Sequence, residues 1–476
     1  MSFTGYEFVL VFLPIVLGGA ALLSRFGLTD CKKLWLVAAS VVFYVWASPA
    51  ALAWLLVSAA VSYALSLALC RTPSERVAAR KLLVGAGCLF HVLFLGFFKY
   101  VDLGALAEQT GNFGALVFLV PMGVSFFTFQ FIVFLLEVYR GKDAPSKPLD
   151  FLLYSTFFVY RTMGPIMTHS DFRTQMESPD ALRPTSEEFA RGIYQFVLGL
   201  TKKLVLADTV AVIANNGFSR GGQVGLFVAW GAALAYTFQL YFDFSGYSDM
   251  AIGIGRMLGV RLPQNFDSPY KSESVSVFWR RWHMTLGRAL TTCVYISLGG
   301  NRRGLPRTCL NLFLVMVVSG IWHGDTVNFL IWGAAYGLIL VFERLCEQPL
   351  LSKIPTWIRR VLTFLVVTLL WVPFRAATLN GTMRIWRGML NFKNLGINQF
   401  AALAQDGIIH FPTPVALLYG TGLILLCALI AFIPKNSHEK TEAMRFDTKT
   451  ALILAFLIFF CLIHMSRAGV FLYENF

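Results

Sequence analysis

The 476 residues are 57% hydrophobic and only 14% charged, and a mean hydropathy of +0.64 places the chain outside the soluble globular range. The formal net charge of +14 does not point to nucleic acid, because the basic residues flank apolar runs and form no basic domain interleaved with aromatics. Topology and contact with anionic lipid account for them instead.

A membrane-spanning helix needs about 20 mostly apolar residues. Such stretches begin near 7–24, 34–49, 51–70, 82–98 and 115–137. They continue at 190–215, 223–242, 308–322, 326–345, 358–375, 413–433 and 449–466, with less clear apolar segments at 151–168 and 275–298. The pattern predicts an all-α, polytopic integral membrane protein with roughly a dozen transmembrane or re-entrant helices. Residues 1–476 read as a single membrane domain, with N-terminal spans over 1–150, a polar-rich core over 151–345 and C-terminal spans over 346–476.

Met1 to Glu7 has no basic residue, so the first apolar run does not read as a cleaved signal, and Arg25, Lys32 and Lys33 follow it. That order predicts an N-terminus outside, with Arg25–Lys33, Arg71–Lys81 and Arg140–Lys147 in the cytoplasm. Residues 101–114 carry Asp102 and Glu108 but no Lys or Arg, as an outer connection should. Two longer polar stretches, 170–190 and 376–412, suit a membrane interface. Eight cysteines are scattered singly without a CxxC pair, so neither a zinc site nor a disulfide framework is indicated, and no histidine–carboxylate cluster has metal-ligand spacing. Most of the cysteines read as small apolar residues within the membrane.

Between Phe238 and Gly337, polar and ionisable residues interrupt aromatic and apolar sequence, which in lipid marks a function or an inward-facing cavity. Asp243 and Asp249 stand six residues apart; either they pair with an arginine to fix helix packing or they contact substrate. Gly255 and Gly259 have GxxxG spacing, read as a close helix approach rather than nucleotide binding. In FWRRWHMTLGR, a continuous helix would put Trp279 and His283 on one face, with Arg281 and Arg288 seven apart. Arg280 and Arg281 either snorkel to the interface or meet the phosphates of a donor. In SGIWHG, His323 next to Trp322 interrupts a run of spanning quality; it is either a hydrogen-bonded core residue or a base able to take a hydroxyl proton. Gly246-Tyr247-Ser248 and Gly123-Val124-Ser125 both lack the second glycine of a G-x-S-x-G elbow.

The segments PMGVSFFTFQ at 121–130, VYRG at 138–141, DFLLYSTFF at 150–158, GPI at 164–166 and YFDFSGYSDMAIGIGRMLG at 241–259 run on into LPQNFDSPY at 262–270, FWRRWH at 278–283, SLGGNRRG at 297–304 and WHG at 322–324. In this order and spacing they resemble the membrane-bound O-acyltransferases, within them the branch of the alginate O-acetyltransferase membrane subunit. The resemblance implies a bacterial cytoplasmic-membrane enzyme without a permanently bound cofactor, which takes acetyl from cytoplasmic acetyl-CoA through a ring of helices. Delivery would be outside, to an exported polysaccharide by way of a periplasmic SGNH-type partner. It also implies that His323 is the catalytic residue, with His283 supporting it. Arg280, Arg281 and Trp322 are the expected substrate contacts, with Asp243 and Asp249 shaping the site. The chain departs from the branch where Thr291 and Thr292 stand for an Arg-Asp pair, where Ser297 stands for a proline, and where Thr162-Met163 stands for Pro-Gln before Gly164. Acylation of teichoic acid, peptidoglycan or a lipid is the alternative within enzymes. A transporter or scaffold is the alternative outside them, although the chain shows no paired inverted repeat.

Overall fold

Helices account for every regular element among the described residues, 1–101, 121–346, 353–405 and 412–472 of a computed structural model. Eight are long and apolar enough to cross a membrane: Glu7–Arg25, Pro49–Arg71, Val77–Tyr100, Leu305–His323, Val327–Cys346, Thr356–Arg375, Thr413–Phe432 and Thr448–Arg467. These are the helices whose apolar side chains face outward, since no more than 39% of any of their apolar windows is buried in protein.

The remaining expected spans form helices of a different kind. Thr29–Ala47 opens on Asp30, Lys32 and Lys33, and Lys33 is neutralised by Asp150 at 2.5 Å. Val124–Tyr139 has only 16 residues; the start of the expected 115–137 span lies outside the described residues, as does nearly all of the acidic 101–114 connection. The 151–168 segment breaks into Pro148–Thr156 and Phe158–Arg161. The 275–298 segment breaks into Val275–Arg281, Met284–Leu290 and a π-helical turn, Thr291–Tyr295. Val124–Tyr139 and the pieces of the two broken segments are each too short to span, whereas Thr29–Ala47, 19 residues long, is set apart by its charged first turn.

At the centre, Ser186–Thr201, a π-helical turn Lys202–Ala207 and Asp208–Ser219 run antiparallel to the 33-residue helix Leu226–Leu258. Their backbones touch at glycines. A Cβ on Gly199 would lie 2.5 Å from the Gly246 carbonyl oxygen, and one on Gly192 would lie 2.7 Å from that of Gly253. This seven-residue glycine spacing, rather than Gly255 and Gly259, makes the close helix approach. Gly259 instead ends the long helix in a left-handed conformation (φ 81°), and Gly255 packs on the returning chain at Val260 and Leu262. From Tyr236 to Leu258 nearly every residue is buried, so the carboxylates on this helix face protein and not lipid.

The three basic connections converge at one end of the molecule. Arg80 donates to the Tyr139 carbonyl, Lys33 pairs with Asp150, and Lys32 reaches the Leu182 carbonyl. The opposite end holds Lys99 and Tyr100, which donate to the Trp322 and Ile321 carbonyls.

Candidate active site

His323 is the last residue of the Leu305–His323 helix and is 3% exposed. Its position depends on close contact between this helix and Val327–Cys346: a Cβ on Gly320 would lie 2.4 Å from the Phe329 oxygen, and one on Gly333 would lie 2.4 Å from the Met316 oxygen. The carbonyls left free at the end of the helix are taken up by Lys99 and Tyr100, and the Lys99 ammonium also lies 5.7 Å from the Trp322 ring centre. Around the imidazole stand Trp322, Phe374 and Trp332, with ring centres at 4.6, 4.9 and 5.1 Å. This aromatic wall encloses the imidazole.

His283 is placed by a break in the chain. The Val275–Arg281 helix ends at Trp282, and His283 adopts a left-handed conformation (φ 45°) before Met284–Leu290 begins. The expected shared face of Trp279 and His283 therefore does not exist, nor does a helical register between Arg281 and Arg288. Asn265 holds the break. Its Oδ1 accepts the Thr285 amide at 3.2 Å and the Thr285 hydroxyl at 2.8 Å, and its own carbonyl accepts the Met284 amide at 3.0 Å.

Because Oδ1 already accepts from an amide N–H, the Asn265 orientation is set, and its contact with His283 Nδ1 at 3.1 Å requires the imidazole to donate there. That tautomer leaves the Nε2 lone pair bare, and Nε2 has no hydrogen-bond partner among the described residues. The ring lies between Phe244 and Phe126, with centres at 4.7 and 6.2 Å, and Phe126 continues to Trp322 at 5.9 Å. The two histidines thus share one aromatic interior.

Two cavities flank this interior. One lies toward the end opposite the basic loops and is lined by Phe3, Phe43, Met122, Phe126, Tyr247 and Phe471. Phe3 stacks on Tyr247 at 4.9 Å, and Phe471 meets the same ring edge-on at 5.0 Å. The other lies at the basic end and is polar, with Lys202, Ser245, Ser248, Asp249, Asn265 and His438 on its wall. Asn265 joins the two regions, donating to Ser248 at 3.2 Å while it holds His283.

The aspartates are both paired, with lysines and not with an arginine. Asp249 accepts from Lys202 at 2.6 Å; Asp243 accepts from Lys203 at 2.8 Å and from the Leu472 amide at 3.0 Å. Lys203 also meets Asp208 at 2.7 Å. Asp249 stands on the polar cavity wall, whereas Asp243 is enclosed, tying the segment after the last span to the long helix. Arg280 is exposed and Arg281 half-buried at the end of their short helix, and neither lines either cavity.

Asn265, Lys99, Trp332 and Phe374 escaped the sequence reading, since nothing in their spacing marks them as neighbours of the histidines. Lys202 and Lys203 could have been found as charges interrupting the 190–215 apolar run.

The sequence pattern described as the MBOAT, membrane-bound O-acyltransferase family matches residues 123–374, more than half of the chain. A peptidoglycan O-acetyltransferase of Helicobacter pylori is 33% identical, covering 98% of this chain and 96% of that protein. A probable alginate O-acetylase AlgI of Pseudomonas aeruginosa is 38% identical over 82% of this chain and 75% of its own length. A teichoic acid D-alanyltransferase of Streptococcus thermophilus is 29% identical over 47% of this chain and 56% of its own.

Proposed function

Given that the chain belongs to the membrane-bound O-acyltransferase family and is a multi-pass membrane acyltransferase, we propose that it moves acetyl from acetyl-CoA, supplied at the basic, cytoplasmic end, to a hydroxyl of an exported polysaccharide at the opposite face. The observation that carries this reading is that His283 is held by Asn265 on the wall of the polar cavity at the basic end, while Phe126 on the wall of the aromatic cavity packs on both His283 and Trp322, the neighbour of His323. A two-ended site suits a donor and an acceptor that never share a compartment.

In this scheme His323 takes the acceptor's hydroxyl proton as it attacks the thioester carbonyl. The bare Nε2 of His283 positions the donor through a hydrogen bond or assists the same proton transfer. The Lys99 ammonium beside Trp322 adds positive charge where negative charge develops on the carbonyl oxygen. Asp249 shapes the wall of the polar cavity, and Asp243 holds the interior indirectly. Arg280 and Arg281 act only at the periphery, as interface anchors or as contacts for the phosphates of the arriving donor.

The acceptor is an alginate-type exopolysaccharide, reached in a bacterial inner membrane through a periplasmic SGNH-type partner; the name and coverage of the probable alginate O-acetylase AlgI relatives support the choice of polymer. Peptidoglycan glycan is the second reading, favoured by the near full-length match to the Helicobacter protein. The test is release of labelled acetyl from acetyl-CoA by the purified protein in liposomes, with each polymer and with or without the partner. Acetyl transfer to the polymer or to the partner that His323→Ala abolishes while the protein still inserts supports the reading. No thioester consumption under any condition overturns it.

A further inference from the structure

A second constellation of catalytic type lies at the basic end, apart from both histidines described above. Asp143 and Ser146 sit in the 140–147 connection, and His169 opens the His169–Met176 helix. His169 Nδ1 is 2.7 Å from Asp143 Oδ2, and His169 Nε2 is 3.0 Å from Ser146 Oγ. The side chains of Asp143 and His169 are fully enclosed, the imidazole among Phe134, Tyr154 and Phe151 at 4.5, 5.1 and 5.6 Å, whereas Ser146 is half-buried.

A carboxylate on Nδ1 fixes the tautomer that leaves Nε2 to accept the serine proton. Tyr63 holds the loop by donating to the Ser146 carbonyl at 3.0 Å, and the second Asp143 oxygen is held in place by the Ala144 amide at 2.8 Å and by Arg173 at 3.4 Å. Two residues beyond Ser146 the Pro148–Thr156 helix begins, and the Leu149 and Asp150 amides of its first turn have no intrahelical acceptor. Such amides suit the oxyanion of an acyl-transfer intermediate.

The geometry points to Asp143, His169 and Ser146 as a nucleophilic site for short-chain acyl esters and thioesters at the basic face. Ser146 Oγ bonds to the acyl carbon and its proton passes to His169 Nε2. The bond from carbon to the leaving sulfur or oxygen then breaks, and the leaving group departs with that proton. Water attacks the acyl-serine ester as His169 takes one of its protons, releasing the carboxylic acid and restoring the serine hydroxyl.

This activity is independent of the His323 reaction, and the experiment keeps the two separate. The full-length protein in nanodiscs is treated with a fluorophosphonate probe and the labelled peptide identified by mass spectrometry, in wild type and in His323→Ala. Labelling at Ser146 in both is expected. It should vanish in Ser146→Ala and slow by about 10²-fold or more in His169→Gln, as loss of a general base does, with melting curves establishing that the variants are folded. Ser146→Ala should also remove residual acetyl-CoA hydrolysis from the His323→Ala protein. Wild type that stays unlabelled, a label on another serine, an unchanged rate in folded His169→Gln or hydrolysis that survives Ser146→Ala would overturn the assignment and leave the three residues as a loop staple.

Discussion

Single side chains decide where the imidazoles point, and Asn265 does most of this for His283. Replacing it with Ala strands the Thr285 amide and hydroxyl and frees the ring. The structural cost of the lost buried acceptor is about 1–3 kcal/mol. Acetyl transfer should fall by roughly 10²-fold, because a misplacement of about 1 Å costs that much; a normal rate in the liposome assay would show that His283 needs no such anchor. Lys203 offers a contrasting case, since it neutralises the buried Asp243 and the half-buried Asp208. Lys203→Met leaves a buried charge unpaired and should lower stability by about 3–5 kcal/mol. Lys203→Arg should recover much of that in thermal unfolding of the detergent-solubilised protein, and equal melting of all three proteins would argue against a buried ion pair.

At the level of helices, the central antiparallel pair depends on glycine. Gly199→Val puts a side chain against the Gly246 carbonyl oxygen, where backbone and not a flexible side chain must yield. A loss of about 3 kcal/mol or more follows from overpacking of this kind. Gly85→Leu is the control: it lies on the outward face of Val77–Tyr100 with open space beside it, and its effect should stay within about 0.5 kcal/mol. Comparable melting losses in both variants would refute the close-contact account. This level also separates what the amino-acid order reveals from what it hides. Apolar length identified the outward-facing spans, because lipid-facing residues must be apolar whatever the tertiary fold. The same criterion overlooked the character of Ser186–Ser219 and Leu226–Leu258, whose Lys202, Lys203, Asp243 and Asp249 are tolerated only because each helix covers the other. His283 was visible as a residue, but its helix break was not: the left-handed turn depends on Asn265, 18 positions earlier. Both histidines were legible through ordered motifs; the aromatic wall around His323 comes from three separate helices, and no local spacing encodes such a meeting.

For the molecule as a whole, the basic loops define one face, and two exposed thiols report on it. Cys31 adjoins Lys32 and Cys70 adjoins Arg71, both at the end where the basic connections converge. A membrane-impermeant maleimide added to intact cells should leave Cys31 and Cys70 unlabelled, while inverted vesicles should react at both. The reverse pattern would invert the orientation on which the proposed donor side rests. The meeting of Phe3, Tyr247 and Phe471 across nearly the full length of the chain has a consequence for biosynthesis. During synthesis the aromatic cavity lacks a wall until the last described span has been inserted and Phe471 reaches Tyr247, so the unfinished protein must shelter Asp243 and its neighbours without their final partners. Arrival of the segment after the last described span and closure of the aromatic cavity thereby become a single event in the ribosome-to-membrane pathway.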